Sequence, residues 1–378
     1  MEEYLEKLNF HWFKEEDPDI KRWENEKIRL IPLWINKLSL KPFSLNFIFG
    51  PRRVGKTIGI KLLIKHLIEN KKVKPESIVY IDGDLIPNLE IFQKLLEFCS
   101  KKRFEFIFID EVTSIKDWWK PLKGLIDLGY FKNSVITVTG SLSLRIKREA
   151  ELFPGRRGFG NDVEVMPLSF KEYHELMGFG NKKDEIRESF KNYLKTGGFL
   201  GSINNGDAFI REIVNAIESE ILKLGISLKL SSEIFSSLLR KIPSPISYNS
   251  IASDIGIDYK TVRSYLEFFE SMYLISSAYW KQGNQISFRK EKKIFFRDPF
   301  ILKSISVWCN TKFLESVLYE NVIQEYLFRK FGEIYYYRNS YEIDCIAGNL
   351  RVEVKAGKPH RRYPKNVMIV DEENIGEF

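Results

Sequence analysis

Residues Gly50 to Thr57 read GPRRVGKT and fit the spacing GxxxxGKT. Glycines at both ends let a loop wrap its backbone N–H groups around an anion, the lysine adds a point charge, and the hydroxyl after it can ligate a divalent cation. Leu45 to Phe49, just before, is a short apolar run that reads as a buried strand, and TIGIKLLIKHLIENKK, just after Lys56, has helical apolar spacing. The loop therefore sits at the N-terminus of a helix, where the helix dipole favours phosphate. Gly50, Pro51, Arg52, Arg53, Val54, Gly55, Lys56 and Thr57 are the candidate nucleotide-binding set for ATP or ADP. Lys56 would reach the β- and γ-phosphates and Thr57 would ligate Mg²⁺.

Further chemistry follows in chain order. FEFIFIDEV (Phe104 to Val112) is a strand ending in Asp110 and Glu111. A carboxylate pair at the C-terminal end of such a strand faces the phosphate crevice, with Asp110 holding Mg²⁺ and Glu111 orienting the attacking water. SIVYIDGD (Ser77 to Asp84) reads as the strand before that one, NSVITVTGSLSL (Asn133 to Leu144) is a fourth β-rich run, and Thr139 and Ser141 at its end are candidates for a polar sensor beside the γ-phosphate. LFPGRRGFG (Leu152 to Gly160) carries Arg156 and Arg157 in a glycine-rich loop, where Arg156 could meet that phosphate in cis or from a neighbouring subunit. NDVEV supplies a further strand, and Ser169 with Glu172 has capping-box spacing for a helix.

A second group lies near the C-terminus. Glu320 falls on an apolar-periodic helix, Asp344 ends an alternating strand, and Glu353 and Lys355 share a face of the next because strand residues two apart do. Three carboxylates beside a lysine suit a metal ion acting on a phosphodiester. They come together if YEIDCIAG and LRVEVKAG form a hairpin around Gly348 and Asn349, and such crowding should raise the pKa of at least one carboxyl unless a cation relieves it. The arrangement resembles the PD-(D/E)xK nuclease core. It departs from that core after Lys355, where only Gly357 to Asn366, with Pro359 and Pro364, precedes VMIVDE. A parallel crossover helix needs a dozen or more residues, so the expectation is Mg²⁺ or Mn²⁺ binding with slow or absent cleavage.

Between the two groups, Leu176 to about Lys241 is helical and polar-interrupted, as in a lid. Ser247 to Trp280 then gives a helix, a turn at Gly256, a second helix led by Tyr259, and a stretch able to begin a β-wing. Lys260, Thr261 and Arg263 would face a DNA groove, although such modules also serve protein contacts.

These elements must be positioned by a chain of 378 residues, long enough for two or three domains. A hydrophobic fraction of 44% and a charged fraction of 29% suit a globular fold. No run reaches membrane-span length and the N-terminus does not read as a signal peptide, which points to a cytoplasmic protein without membrane partner. Three scattered cysteines exclude a disulfide framework or zinc ribbon, and the histidines have no metal-ligand neighbours. A formal charge of +8 is compatible with a polyanionic partner. The basic residues are dense in Ser287 to Arg297 and in Lys355 to Asn366, which read as either a polyanion-binding or a solvated surface.

GPRRVGKT, FIFIDE, TVTGS, LFPGRRG and PLSFKEY, in this order, resemble the archaeal ATPase family of the AAA+ class, and YLKTGGFL extends the likeness over almost the whole chain. The resemblance implies an α/β fold: a parallel-sheet P-loop ATPase core (1–168), a helical lid (169–238), a winged helix (239–285) and a small restriction-endonuclease-like α+β domain (286–378). It implies an ATPase whose nucleotide state repositions the winged helix and the nuclease-like domain, acting on DNA. The rivals are a slow-turnover ATP/ADP switch contacting protein partners, and an ATP-gated nuclease.

Overall fold

The computed structural model describes residues 2–141, 152–339, 341–355, 364, 366–371 and 374–375. Two units follow one another along the chain, Met1–Met166 and Pro167–Phe378.

In the first unit, five strands form one parallel sheet: β1 (Ser44–Phe49), β2 (Ile78–Asp82), β3 (Phe106–Asp110), β4 (Val135–Gly140) and β5 (Asp162–Glu164). Their order is β2-β3-β4-β1-β5, so β4 is the extra strand between the loop-bearing β1 and the acidic β3. The central strands are continuous apolar runs rather than alternating ones because helices cover such sheets on both faces. The helices are α1 (Glu2–Glu6), α2 (Pro18–Glu24), α3 (Lys56–Glu69), α4 (Leu89–Lys102) and α5 (Trp119–Asp127). Ile60, Leu63 and Leu67 of α3 pack on Ile48, Ile78, Phe108 and Val163. Each such side chain contributes about 1.5–3 kcal/mol by burial, which anchors the helix whose first turn carries Lys56 and Thr57.

The second unit opens with α6 (Phe170–Leu176), whose capping box at Ser169 and Glu172 is formed: Glu172 Oε2 accepts the Ser169 N–H at 2.7 Å. Then come α7 (Lys183–Thr196), α8 (Leu200–Asn205), α9 (Ile210–Lys223), α10 (Leu228–Lys241), α11 (Tyr248–Ile255) and α12 (Tyr259–Ser271). Gly256, at φ 70°, ends α11. Strands β6 (Ile275–Gln282) and β7 (Gln285–Ser287) form a hairpin, and β8 (Lys293–Phe296) pairs further along β6. Next are α13 (Pro299–Trp308), α14 (Ser316–Phe331), β9 (Tyr335–Arg338), β10 (Glu342–Ala347), β11 (Leu350–Val354) and β12 (Met368–Val370). The sheet runs β12-β11-β10-β9-β6-β7, with β8 also on β6. Strand pairing thus continues across the expected boundary at 285/286. Trp280, Phe295, Val322, Leu327, Tyr336, Ile343 and Val352 share its core.

The β10–β11 hairpin turns at Gly348 and Asn349, with Ala347 opposite Leu350 and Gly348 at φ 54°. The basic run from Ser287 is neither wholly a polyanion-binding surface nor wholly a solvated one, because Lys292, Lys293 and Arg297 point inward and are buried. Arg289 and Lys290 are exposed. Apart from Lys355, Pro364 and Asn366, the second basic run lies outside the described residues, as does the connection after Lys355. Among the described residues, no helix is long and apolar enough to cross a membrane.

Candidate active site

The loop after β1 is shaped by close approaches that only glycine permits. A Cβ on Gly50 would lie 2.0 Å from the Val165 carbonyl oxygen. Arg53 and Gly55 have left-handed φ values of 64° and 99°, and turns of this kind gather successive N–H groups into an anion-holding concavity. Lys56 is buried, donating to the carbonyls of Gly50 at 2.9 Å and Pro51 at 3.0 Å, and its Nζ lies 3.5 Å from Glu111 Oε1. Arg52 sits 3.5 Å from Asp84, which also accepts from the Ser114 hydroxyl.

Asp110 is the hub of the site. Thr57 Oγ1 donates to it at 2.5 Å, Tyr80 OH at 2.9 Å, and Thr139 Oγ1 from the neighbouring strand. Burial, then the Glu111 charge, pushes its carboxyl above the usual range, against the hydrogen bonds of Thr139 and Thr57. The next strand places Asp82 beside Asp110 in register, and burial raises Asp82 to about 6, with Asp110, Asp84 and Glu111 adding to the rise. The desolvated Asp110 carboxyl, bonded to the Thr57 hydroxyl, is the kind of oxygen pair that suits a phosphate-bound Mg²⁺, which usually takes one or two carboxylates and not a full protein cage. Glu111 takes a left-handed φ of 46°, and its N–H donates to Thr139 Oγ1 at 2.9 Å. Its Oε2 and the buried Ser141 Oγ find no hydrogen-bond partner among the described residues.

The two sensor candidates therefore differ. Thr139 is occupied in holding Asp110, while Ser141 keeps a hydroxyl to offer. Arg156 is engaged elsewhere, forking onto Asp127 at the end of α5, with Nη2 to Oδ2 at 3.1 Å. Arg157 pairs likewise with Asp162 and lies over the Phe47 ring at 5.0 Å. Sequence reasoning missed Tyr80 and Asp82; the signal was present in SIVYIDGD, whose strand neighbours the acidic one.

In the second unit, Glu320 and Asp344 do come together, but around a residue the motif did not include. Lys293 Nζ lies 2.9 Å from Glu320, 2.9 Å from Glu342 and 2.6 Å from Asp344. The expected metal seat is thus filled from within by an ammonium group. Asp344 Oδ2 is further tied to the Val354 N–H at 2.9 Å, and Glu353 pairs with Lys355 at 2.5 Å. Burial works against the charge on Lys293, but Glu320, Asp344 and Glu342 outweigh it and hold its pKa well above the ordinary value. Burial and then Asp344 push Glu320 up to about 8. Among the described residues, no group of three or more His, Cys, Asp or Glu is arranged to hold a metal ion. The Glu320, Asp344 and Glu353 set is not such a group, and the physical reason is that the Lys293 and Lys355 ammonium groups already sit against its carboxylates.

On α12, Lys260 and Arg263 are exposed and Thr261 is half-buried, while Val262, Leu266 and Phe269 face inward. Arg263 pairs with Glu267 at 2.8 Å.

Residues 43–174 match the AAA domain family, and residues 187–312 match a domain of unknown function (DUF8612). The first unit carries an AAA domain. An uncharacterized protein of Methanocaldococcus jannaschii, MJ1544, is 25% identical over 341 residues, covering 82% of this chain and 73% of that protein. The Aeropyrum pernix ORC2 protein in its ADPNP-ADP complexes overlays with a TM-score of 0.41 at 12% identity, over 74% of this chain and 91% of that one. The Aeropyrum pernix ORC1 protein in complex with DNA gives 0.36 at 12%, over 81% and 91%. Both overlays are too loose to bear on function.

Proposed function

We propose that the AAA domain binds and hydrolyses ATP with Mg²⁺. The observation that carries this is the junction of Thr57 with Asp110 at 2.5 Å, directly beside a Lys56 held in the loop and 3.5 Å from Glu111. Thr57 and Asp110 would hold Mg²⁺, which would neutralise charge on the phosphates. Lys56 exchanges loop carbonyls for phosphate oxygens, and the free Oε2 of Glu111 is available to orient a water. Ser141 offers its hydroxyl as the γ-phosphate sensor. Arg156 could serve only after leaving Asp127. The test is ATP turnover by Lys56→Ala and Glu111→Gln. Loss of binding in the first, and retained binding with turnover lowered about 10²–10³-fold in the second, is expected. Unchanged turnover in Glu111→Gln would remove Glu111 from the mechanism.

We read the second unit as lid, winged helix and nuclease-like sheet, with the boundaries expected from sequence except that β6 belongs to both of the last two. Support for the winged helix is the succession α10, α11, α12, then the β6–β7 hairpin, with a single antiparallel bridge between Ile246 and Lys292. Exposed Lys260 and Arg263 on α12, and Arg289 and Lys290 after the hairpin, make DNA the better-supported partner. The nuclease-like sheet serves as a scaffold, since Lys293 occupies the cation position. ATP-dependent repositioning of this unit on DNA is the resulting activity, and stimulation of turnover by DNA distinguishes it from a protein-contacting switch.

A further inference from the structure

A cavity of about 370 Å³ lies within the second unit, between α6, the start of α13 and one face of α14. Three of its lining residues carry a buried nitrogen that finds no hydrogen-bond partner among the described residues: Asn321 Nδ2, Arg329 Nη2 and His174 Nδ1. Asn321 is only 3% exposed. Buried polar groups are nearly always satisfied, so the two obligate donors, Asn321 Nδ2 and Arg329 Nη2, around one hollow signal a missing acceptor, while His174 Nδ1 can donate or accept according to its tautomer.

The charges agree. Arg297 and Arg329 both pair with one carboxylate, Glu325, at 2.5 and 2.6 Å. The other buried acid there, Asp298, accepts the Gly198 and Phe300 N–H groups, and burial pushes it up to about 7, so near neutrality it carries only part of its charge. The remaining wall is mostly apolar, with Phe170, Phe296, Val322 and Ile323, and Ser169, Lys171, Glu175 and Asn181 also line it. Cavities of this size and lining are typical of small-ligand sites.

We propose that this cavity binds a small organic oxyanion, a carboxylate or phosphate head on a flat apolar body, with the head against Arg329 and Asn321 and the body between Phe170 and Val322. The two unsatisfied N–H groups supply donors, the surplus guanidinium supplies charge, and the apolar walls select against inorganic phosphate.

The test is a calorimetric titration of the full chain with phenylacetate, phenyl phosphate and inorganic phosphate, all in a Lys56→Ala background so that the nucleotide loop cannot bind the anion. One or both aromatic probes should bind and inorganic phosphate should not, separating body from head, while the two aromatic arms distinguish carboxylate from phosphate. Asn321→Leu should weaken the bound probe about tenfold, the value of one hydrogen bond to a charged group. Arg329→Lys, which keeps the charge and removes the unsatisfied Nη2 donor, should weaken it likewise and serves if Asn321→Leu does not fold. Equal affinity in these variants, binding of inorganic phosphate alone, or no binding of either aromatic probe at 10 mM (about 10,000-fold above a 1 μM dissociation constant) would overturn the proposal.

Discussion

Lys293 shows at the residue scale how a single side chain can change the chemistry of a cluster. It is 2% exposed and lies within 2.9 Å of three carboxylates. Removing one partner of a buried ion cluster leaves charges uncompensated, which typically costs about 3–5 kcal/mol. Lys293→Ala should therefore lower stability by about that amount in urea titration. It should also create a response to Mn²⁺ that the parent lacks, seen as a rise in Tm on adding the ion. A parent protein that gains Tm with Mn²⁺ in a Lys56→Ala, Asp110→Ala background would mean that the ammonium does not hold the seat. Metal-dependent DNA cleavage should be absent from the parent.

At the scale of elements, the β1–α3 loop and α12 make separate demands. Gly50→Ala places a methyl 2.0 Å from the Val165 carbonyl oxygen, a separation that forces β1 and the chain after β5 apart. It should lower Tm and weaken ATP binding together through the backbone clash, whereas Lys56→Ala should weaken binding by removing the charge that meets the phosphates. On α12, DNA affinity should fall steeply with salt, and Lys260→Ala with Arg263→Ala should reduce the log–log salt slope by about 2, one for each phosphate left without its cation. A slope unaltered in the double variant, measured by anisotropy at several salt concentrations, would move recognition to Arg289 and Lys290.

Stability of the whole molecule should depend on pH through Asp298. Its folded pKa is raised to about 7 from an ordinary 3.8, chiefly by burial. Between those values the folded state keeps a proton that the unfolded state has released. The contribution is therefore complete below about pH 4 and is lost as pH rises, on the order of 1.4 kcal/mol per unit, until it levels above about 7. Asp298→Asn should flatten the decline between pH 5 and 7 in urea midpoints. It keeps the Phe300 N–H bond and leaves the Gly198 N–H without its acceptor, a cost of about 1–3 kcal/mol that does not vary with pH. An unaltered slope would place the titration elsewhere.

Local spacing was enough to determine the elements whose signals are short-range: the strand, glycine loop and helix around Lys56, the capping box at Ser169, the Gly256 turn, and the Gly348 hairpin that brings Asp344 near Glu353. Each depends on dihedral preference or periodicity within a dozen residues. What only tertiary structure decided is which charges meet. Tyr80 and Asp82 reach Asp110 because β2 lies next to β3, and Lys293 reaches Glu320, Glu342 and Asp344 because β8, α14 and β10 converge. From sequence, Lys292, Lys293 and Arg297 read as one basic surface with Arg289 and Lys290. A run of lysines and arginines states only how much charge is present. Whether that charge faces water or neutralises buried carboxylates depends on partners 27 to 51 residues away, because ion pairing acts through space and burial decides its strength.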